Sequence, residues 1–514
     1  MSVDPTSTDA VEDAKLAQAA RSGAPLVLAG HLVSQLMGVG TLGVLLHLLK
    51  PEDYGILGTV LPAVMLPRMA ATLGPGIAVL QQKELSQQQL SSLFWLQTGA
   101  GLIAAIATAV ICWIQASLWN QPVLFLVGSA LGVGTLLATL GNQHQALLER
   151  NLRFNAGIGL RLTAQAITCV ASIAHAWYWP NVWALVTQHV VELAVLWLGS
   201  WLLAGWWPNW PQRASWGDTH VRFSAAYSFS SLLQYLAQNL EKVLLPIFAG
   251  PAGNYALGLY TQAFGLMVKP VYLLTTPIAG VMISSLAKTE PGSDAFAQMT
   301  SRFFRLSSLG LFPSAVGLTL VSDDVVALLG GQKWQAAGLL LKILAPSLAA
   351  LGLTNLCIFV LSSRGEGRTL VYAAALLLLL KLQTLGLGYF LGQQFIVADV
   401  DPAYRGIVGL AAGFTLLNTC IWSIAFLWFT FRSVQLDPLH MLKALWPSLR
   451  AALVMGLAVM GLQWLLREIP VQSAALRLLL SVAGGVLVFV ALAWSEINQV
   501  VRQQPDRPAK KSAR

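Results

Sequence analysis

An all-α integral membrane protein of about fourteen transmembrane helices is the fold that this sequence predicts. Three observations predict it. The chain of 514 residues is 56% hydrophobic and 10% charged, against about 25% charged in an ordinary soluble domain. Its mean hydropathy is +0.65. Its lysines and arginines fall in alternate connections between apolar runs, as the positive-inside rule requires of a multi-pass chain.

A spanning helix needs about 20 consecutive apolar residues. Taken in order, residues 1–24 are too polar to span, with Asp4, Asp9, Glu12 and Asp13, and read as a cytoplasmic tail with no cleavable signal. Apolar runs follow at 25–48, 55–80, 93–115, 122–141, 157–178 and 181–204, making an N-terminal lobe of helices 1–6. Residues 205–223 carry Arg213 and Arg222 and read as a cytoplasmic linker. Runs at 224–249, 255–287, 303–321, 337–361, 369–391 and 406–430 make helices 7–12 of a C-terminal lobe, 224–430. The eighth contains Pro270 and Pro277, so a kink or strong tilt is expected there. Runs at 447–466 and 474–495 are helices 13 and 14, an appendage within 431–495. Residues 496–514 form a basic cytoplasmic tail suited to anionic headgroups. The longest external loops are read at 322–336 and 392–405, too short for an outer domain.

With these spans, eighteen of the 31 lysines and arginines lie on even-numbered connections and the tails, four on odd-numbered connections, and nine within spans, of which Arg305 and Arg450 stand just inside the cytoplasmic ends. Both termini are therefore expected in the cytoplasm. Cys112, Cys169, Cys357 and Cys420 each lie in an apolar run without paired spacing, which reads as packing rather than a disulfide or metal site. No GxxxxGK[ST], HExxH or GxSxG occurs, so no P-loop ATPase or common hydrolase motif is present. The charge lies between hydrophobic spans, so the net +9 does not imply nucleic acid.

Arg68 and Lys269 stand deep in runs 2 and 8. A cation at the bilayer centre costs about 2.5–3.5 kcal/mol on insertion scales, which makes it a functional candidate. Their surroundings align at one offset, Tyr54 with Tyr255, Ile77 with Ile278 and Ala78 with Ala279, with Pro51 and Pro251 just upstream. This weak parallel repeat makes helices 2 and 8 equivalent and suggests a cationic central cavity. The guanidinium suits bidentate phosphate contact and the ammonium adds a point charge, so the expected ligand is an anion. Lys381 is a third deep cation, without a repeat partner. Arg161 and Glu192 are read as a pair, either structural glue or part of a cation or proton path. Glu241, Lys242 and Asn239 form a polar patch on helix 7, with Glu241 a candidate for ion coupling. Gln35 belongs to a milder patch on helix 1 that lines a cavity or bonds between helices. Glu52 and Asp53 follow Lys50-Pro51, where turn chemistry outweighs a catalytic acidic pair.

The stretch LLKPEDYGILG (48–58), then GPGIAVLQQKELSQQQLSSLFWLQTGAG (74–101), QHQALLERNLRF (143–154) and NYALGLYTQA (254–263) resembles the Wzx-like family of lipid-linked oligosaccharide flippases. The broader superfamily also holds multidrug antiporters and MurJ-type lipid II flippases. That resemblance implies two six-helix lobes in a V, alternating access, and a cavity whose cations accept the pyrophosphate-sugar head of an undecaprenyl-linked oligosaccharide for surface polysaccharide. Arg68 and Lys269 match the cavity cations expected on helices 2 and 8. Helices 13 and 14 resemble the MurJ arrangement, bordering a lipid groove. Implied partners are the lipid-linked substrate, membrane lipids, and the polymerase and glycosyltransferases of the pathway, in a bacterial inner membrane. No cofactor is expected, and the coupling ion is left between Na+ and H+. The alternatives are a multidrug antiporter, disfavoured because helices 1 and 2 hold no acidic residue within the span, and less readily a membrane glycosyltransferase using Glu52 and Asp53, or a scaffold.

Overall fold

The computed structural model describes residues 30, 33–81, 86–150, 154–210, 235–236, 239–250, 253–395, 402–468 and 473–502. The N-terminal tail, most of the linker, the starts of the first and seventh predicted spans and the end of the basic tail lie outside them. Every regular element among the described residues is helical. Eleven helices are long and apolar enough to cross a membrane, or twelve counting one bent pair as a span. The two other predicted spans are described only in their second halves, α1 (Val33–Leu48) and α7 (239–249). A count of fourteen is compatible with this.

The chain divides into two compact units, Met1–Gly258 and Leu259–Arg514. Unit 1 holds α1, α2 (Pro51–Gln81), α3 (Gln87–Trp119), α4 (Pro122–Arg150), α5 (Phe154–Tyr178), α6 (Trp183–Ala204) and α7. Its outward surface is apolar: Ile103, Ile106, Val110 and Trp113 recur at helical spacing on α3 and are exposed. In lipid such a surface is solvated, and helices associate through small residues and close packing instead. Accordingly a Cβ on Gly128 of α4 would lie 2.3 Å from the Cys112 sulfur of α3, and one on Gly101 of α3 2.1 Å from the Thr139 hydroxyl of α4. Cys112 is thus a packing residue. All four cysteines are free thiols.

After α6 the backbone turns at Gly205, in the left-handed region (φ 61°). The segment 205–210 then lies back on the starts of α3 and the end of α4. Trp206 Nε1 donates to Gln87 Oε1 at 2.6 Å, Gln87 Nε2 to the Trp207 carbonyl at 2.9 Å, and Trp95 Nε1 to the Asn209 carbonyl at 2.8 Å. Buried His144 stacks on Trp201 with ring centroids 4.5 Å apart.

Helix α8 (Asn254–Leu286) begins at the end of unit 1 and continues into unit 2. It runs unbroken through Pro270 and Pro277. Unit 2 contains α9 (Asp294–Gly330), α10 (Gln335–Leu344), α11 (Ser347–Ser363), α12 (Gly367–Phe395), α13 (Pro402–Leu416), α14 (Ser423–Ser433), α15 (Pro438–Glu468) and α16 (Ala474–Arg502). The region read as a loop at 322–336 is largely helix, because α9 extends to Gly330. The tenth predicted span is two helices, bent by 52° at the break. Pro346 stands at that break and has no N–H to continue the ladder. The twelfth contains a π-helical segment, Leu417–Trp422, between α13 and α14.

Helices α15 and α16 are packed on α9 rather than loosely appended. Arg305 of α9 pairs with Glu496 of α16, and Asp324 of α9 with Arg477 of α16 at 3.2 Å. Arg477, at the start of α16, is therefore held by an acid. The two bonded positions are equally spaced on each helix, about 28 Å apart at 1.5 Å per residue, close to the roughly 30 Å of a hydrocarbon core. The pairs clamp an antiparallel couple at two levels about one hydrocarbon thickness apart. Arg305→Glu is expected to destabilise unit 2 by about 2 kcal/mol, between the exposed and buried limits for such pairs. Thermal unfolding in detergent checks this, and the swapped pair Arg305→Glu/Glu496→Arg should recover most of the loss.

Candidate functional site

Arg68 follows Pro67 in α2. Pro67 cannot donate to the Ala63 carbonyl four residues back, and the Thr108 hydroxyl of α3 approaches that carbonyl at 3.4 Å instead. One turn beyond Arg68, the Thr72 hydroxyl donates to the Arg68 carbonyl at 2.9 Å. The Thr72 carbonyl accepts Asn142 Nδ2 of α4 at 3.0 Å. Neighbouring helices thus satisfy a proline-interrupted backbone, as a membrane requires. Arg68 itself is half-buried, and its guanidinium makes no hydrogen bond or ion pair with any described residue. Glu192 on α6 lies within electrostatic reach of it, and His189, one turn earlier on α6, lies in the field of both.

Lys269 has a similar setting in unit 2. It is half-buried beside Pro270 in α8 and has no hydrogen-bonding or ionic partner among the described residues. Each unit therefore holds a deep cation next to a proline, able to accept an anion without first breaking a direct bond.

The other predicted residues separate. Arg161 is exposed and pairs with Glu149 at 3.0 Å, not with Glu192. The sequence put Arg161 and Glu192 on adjacent spans but gave no helix rotation, and rotation decided the partners. Lys381 is 1% exposed, with its ammonium 5.1 Å from the centroid of the Phe414 ring. That is a site within the packing of α12 and α13, enclosed rather than open to water. Glu241 is 0% exposed, enclosed in packing rather than open to water. Lys242 Nζ donates to Asn239 Oδ1 at 2.7 Å, and Asn239 Nδ2 to the Tyr235 carbonyl at 3.1 Å, so this patch satisfies itself along one helix. Gln35 is half-buried on α1. Its neighbour Ser34 donates to Gln165 Oε1 of α5 at 2.8 Å, which makes this part of α1 an interhelical seam. Asp53 accepts the Lys50 backbone N–H at 3.1 Å and so caps the start of α2.

Two features escaped the sequence reading. His189 was visible only as the spacing H-V-V-E in α6, which puts His189 and Glu192 on one helix face. The second is an apolar cavity of about 860 Å³ within unit 2, bounded by α9, α11, α14 and α15. Phe312, Val316, Leu353, Leu427, Trp446 and Leu457 line it, with the hydroxyls of Thr319, Thr419 and Ser423 as polar exceptions. Its walls come from four segments distant in sequence, each of which reads only as a span.

The profile of a family described as "Polysaccharide biosynthesis protein" matches residues 44–338. Among curated relatives, "Lipopolysaccharide biosynthesis protein WzxC" of Escherichia coli (strain K12) is 27% identical over 60% of this chain and 62% of its own length. The match thus spans less than two thirds of that relative. "Teichuronic acid biosynthesis protein TuaB" of Bacillus subtilis (strain 168) is 23% identical over 82% of this chain and 84% of its own. Of solved structures, "Lipid II flippase MurJ, inward closed conformation" superposes with a TM-score of 0.69 at 12% identity, covering 93% of this chain and all of that one. A MOP superfamily transporter from Pyrococcus furiosus gives a TM-score of 0.52 at 13% identity, over 81% and 95% of the two chains. At these identities the likeness is one of fold.

Proposed function

Because the chain belongs to the polysaccharide biosynthesis protein family, a multi-pass membrane family, we propose that it is a flippase for an undecaprenyl-pyrophosphate-linked oligosaccharide and works by alternating access in a bacterial inner membrane. The observation that carries this reading is the pair of deep, half-buried cations, Arg68 and Lys269, neither bonded to a described residue. An unbonded guanidinium in a spanning helix remains costly until an anion arrives. A pyrophosphate diester offers pairs of oxygens that the planar guanidinium contacts in a bidentate way. A cationic drug would be repelled by the same residues, which argues against multidrug antiport. The acidic pair that a glycosyltransferase would need is engaged at Asp53 in capping α2. Directional export needs no bound nucleotide if an ion gradient, Na+ or H+, or downstream consumption of the sugar drives it. The polymerase and glycosyltransferases of the same pathway are the partners this role implies.

The polyprenyl tail is assigned to the apolar cavity of unit 2, where α15 supplies one wall. A tail kept in an apolar groove loses no hydrophobic stabilisation while the polar head crosses. Thr319→Trp, which fills that space, is expected to slow flipping of a C55-linked substrate at least about tenfold, while a short-chain analogue retains its rate. Equal slowing of both substrates would remove the tail from this cavity. The function itself is tested by reconstitution in proteoliposomes with a fluorescent lipid-pyrophosphate sugar, scoring its passage to the opposite leaflet. Deletion in the host should accumulate inward-facing lipid-linked oligosaccharide. Loss of sugar transfer without accumulation would favour an enzyme instead.

A further inference from the structure

Helix α8 has two unlike faces. Tyr260, Phe264, Met267, Val271, Met282 and Leu286 recur at helical spacing and are buried. They fix the helix in unit 2. The Phe264 ring meets Phe414 of α13 edge-on with centroids 5.4 Å apart, and Ser347 Oγ of α11 lies 3.9 Å from Met267 Sδ. The opposite face carries Lys269, Thr276, Gly280 and Ser284, spaced by seven, four and four residues, with Tyr272 at its edge. Lys269 is half-buried and the other four are exposed.

Faces turned to lipid are built differently in this chain. The exposed positions of α3 include Ile103, Ile106, Val110 and Trp113, and those of α12 include Leu376, Leu379 and Leu387. On α8 the exposed aliphatics Leu273 and Val281 alternate with hydroxyls and glycine. This face is also open. No atom beyond the local helix lies within 4 Å of the place where a Cβ would stand on Gly265 or Gly280. A threonine in a helix can close its hydroxyl on the carbonyl four residues back, as Thr275 does on Val271 at 2.8 Å. The Thr276 hydroxyl makes no hydrogen bond with a described residue. Left in hydrocarbon, such a group is costly, so the face suits a polar ligand. From Pro270 to Leu286 the helix carries no charge, so beyond Lys269 recognition falls to hydroxyls and one aromatic ring.

We propose that this face of α8 is the sugar-reading surface of the transporter, with the pyrophosphate at Lys269 and the sugars next to it lying along Tyr272, Thr276, Gly280 and Ser284, a role that rests on the flippase reading and deepens it. A pyranose presents hydroxyls at its rim and apolar C–H groups on its flat faces. Tyr272, about 5 Å along the helix from Lys269, offers a ring to such a face. The Thr276 hydroxyl, at about 10 Å, both donates and accepts. Gly280 leaves room for a ring to lie against the backbone. Ser284 stands at about 22 Å. Its hydroxyl donates to the Val281 carbonyl at 3.2 Å and keeps its lone pairs for a sugar O–H. The charge at one end holds any pyrophosphate lipid, and the neutral track distinguishes those that carry sugar.

The test uses the full chain in nanodiscs of phosphatidylcholine, with bound lipid measured by native mass spectrometry. The two probes are undecaprenyl pyrophosphate bearing a neutral trisaccharide and the same lipid without sugar. Wild-type protein is expected to bind the sugar-bearing lipid at least about tenfold more tightly. Thr276→Val should weaken that lipid about three- to tenfold and leave the sugar-free lipid unchanged. Thr276→Ser should keep the wild-type preference. Gly280→Leu, which grows into open space, should abolish the preference while the melting temperature stays at or above that of the wild type. Equal binding of the two lipids by wild-type protein, or a preference that survives both Thr276→Val and Gly280→Leu, overturns the sugar surface and leaves the flippase reading standing. Wild-type protein that binds neither lipid overturns both.

Discussion

Arg68→Ala is expected to lower transport of a lipid-pyrophosphate oligosaccharide by about 10- to 100-fold, the equivalent of losing one charge-assisted hydrogen bond at about 1.5–3 kcal/mol. Lys269→Ala should produce a smaller loss, because an ammonium contributes a single point charge where the guanidinium contributes a fork. The double variant should be inactive. Abundance and thermal stability should stay at wild-type levels in all three. Arg68 and Lys269 make no direct hydrogen bond or ion pair with a described residue, so removing them breaks no bonded pair and relieves the cost of a cation in the span. Transport in proteoliposomes, normalised to inserted protein, checks this. Full activity in the double variant would end the anion-site idea.

Gly409→Leu should have the largest effect on folding. Helices α12 and α13 cross where Gly388 and Gly392 of one meet Gly409 and Gly413 of the other, each a G-x-x-x-G pair. A Cβ at Gly409 would lie 2.1 Å from the Gly388 carbonyl oxygen and 2.6 Å from the Gly392 Cα. These are backbone atoms, so no side chain can turn aside, and the helices must separate. Even Gly409→Ala should cost about 1–3 kcal/mol, the usual range for overpacking, and Leu more. The crossing also encloses Lys381 beside Phe414. Opening it exposes a buried ammonium to lipid, which adds to the loss. Thermal unfolding and the yield of monodisperse protein in detergent measure it. A wild-type melting temperature for Gly409→Leu would show that the helices do not pack this closely.

The span pattern could be read from composition because each helix must meet the same solvent on its own. Fourteen apolar runs and alternating basic connections determine a multi-pass helical chain, whatever the helices then touch. Depth was legible too, since residue number along a helix converts directly to height. That is why Arg68 and Lys269 stood out. Their separation from acidic partners was only partly legible. Glu192 could be assigned to a depth but not to a face, and Arg161, the partner read for it, pairs with Glu149 instead. Lys381 had the right depth and the wrong surroundings. Helix α8 continues through Pro270 and Pro277, whereas the tenth predicted span breaks at Pro346, where the ladder lacks an N–H.

By itself, then, the sequence determined the class, the order of the spans and the height of each charge. Local hydrophobicity and one-dimensional rise fix those quantities. Tertiary structure alone decided which charges meet, as in the α9–α16 clamp, and where space is left, as in the apolar cavity of unit 2. Those features depend on helix rotation and on contacts between segments over a hundred residues apart, which no local pattern encodes.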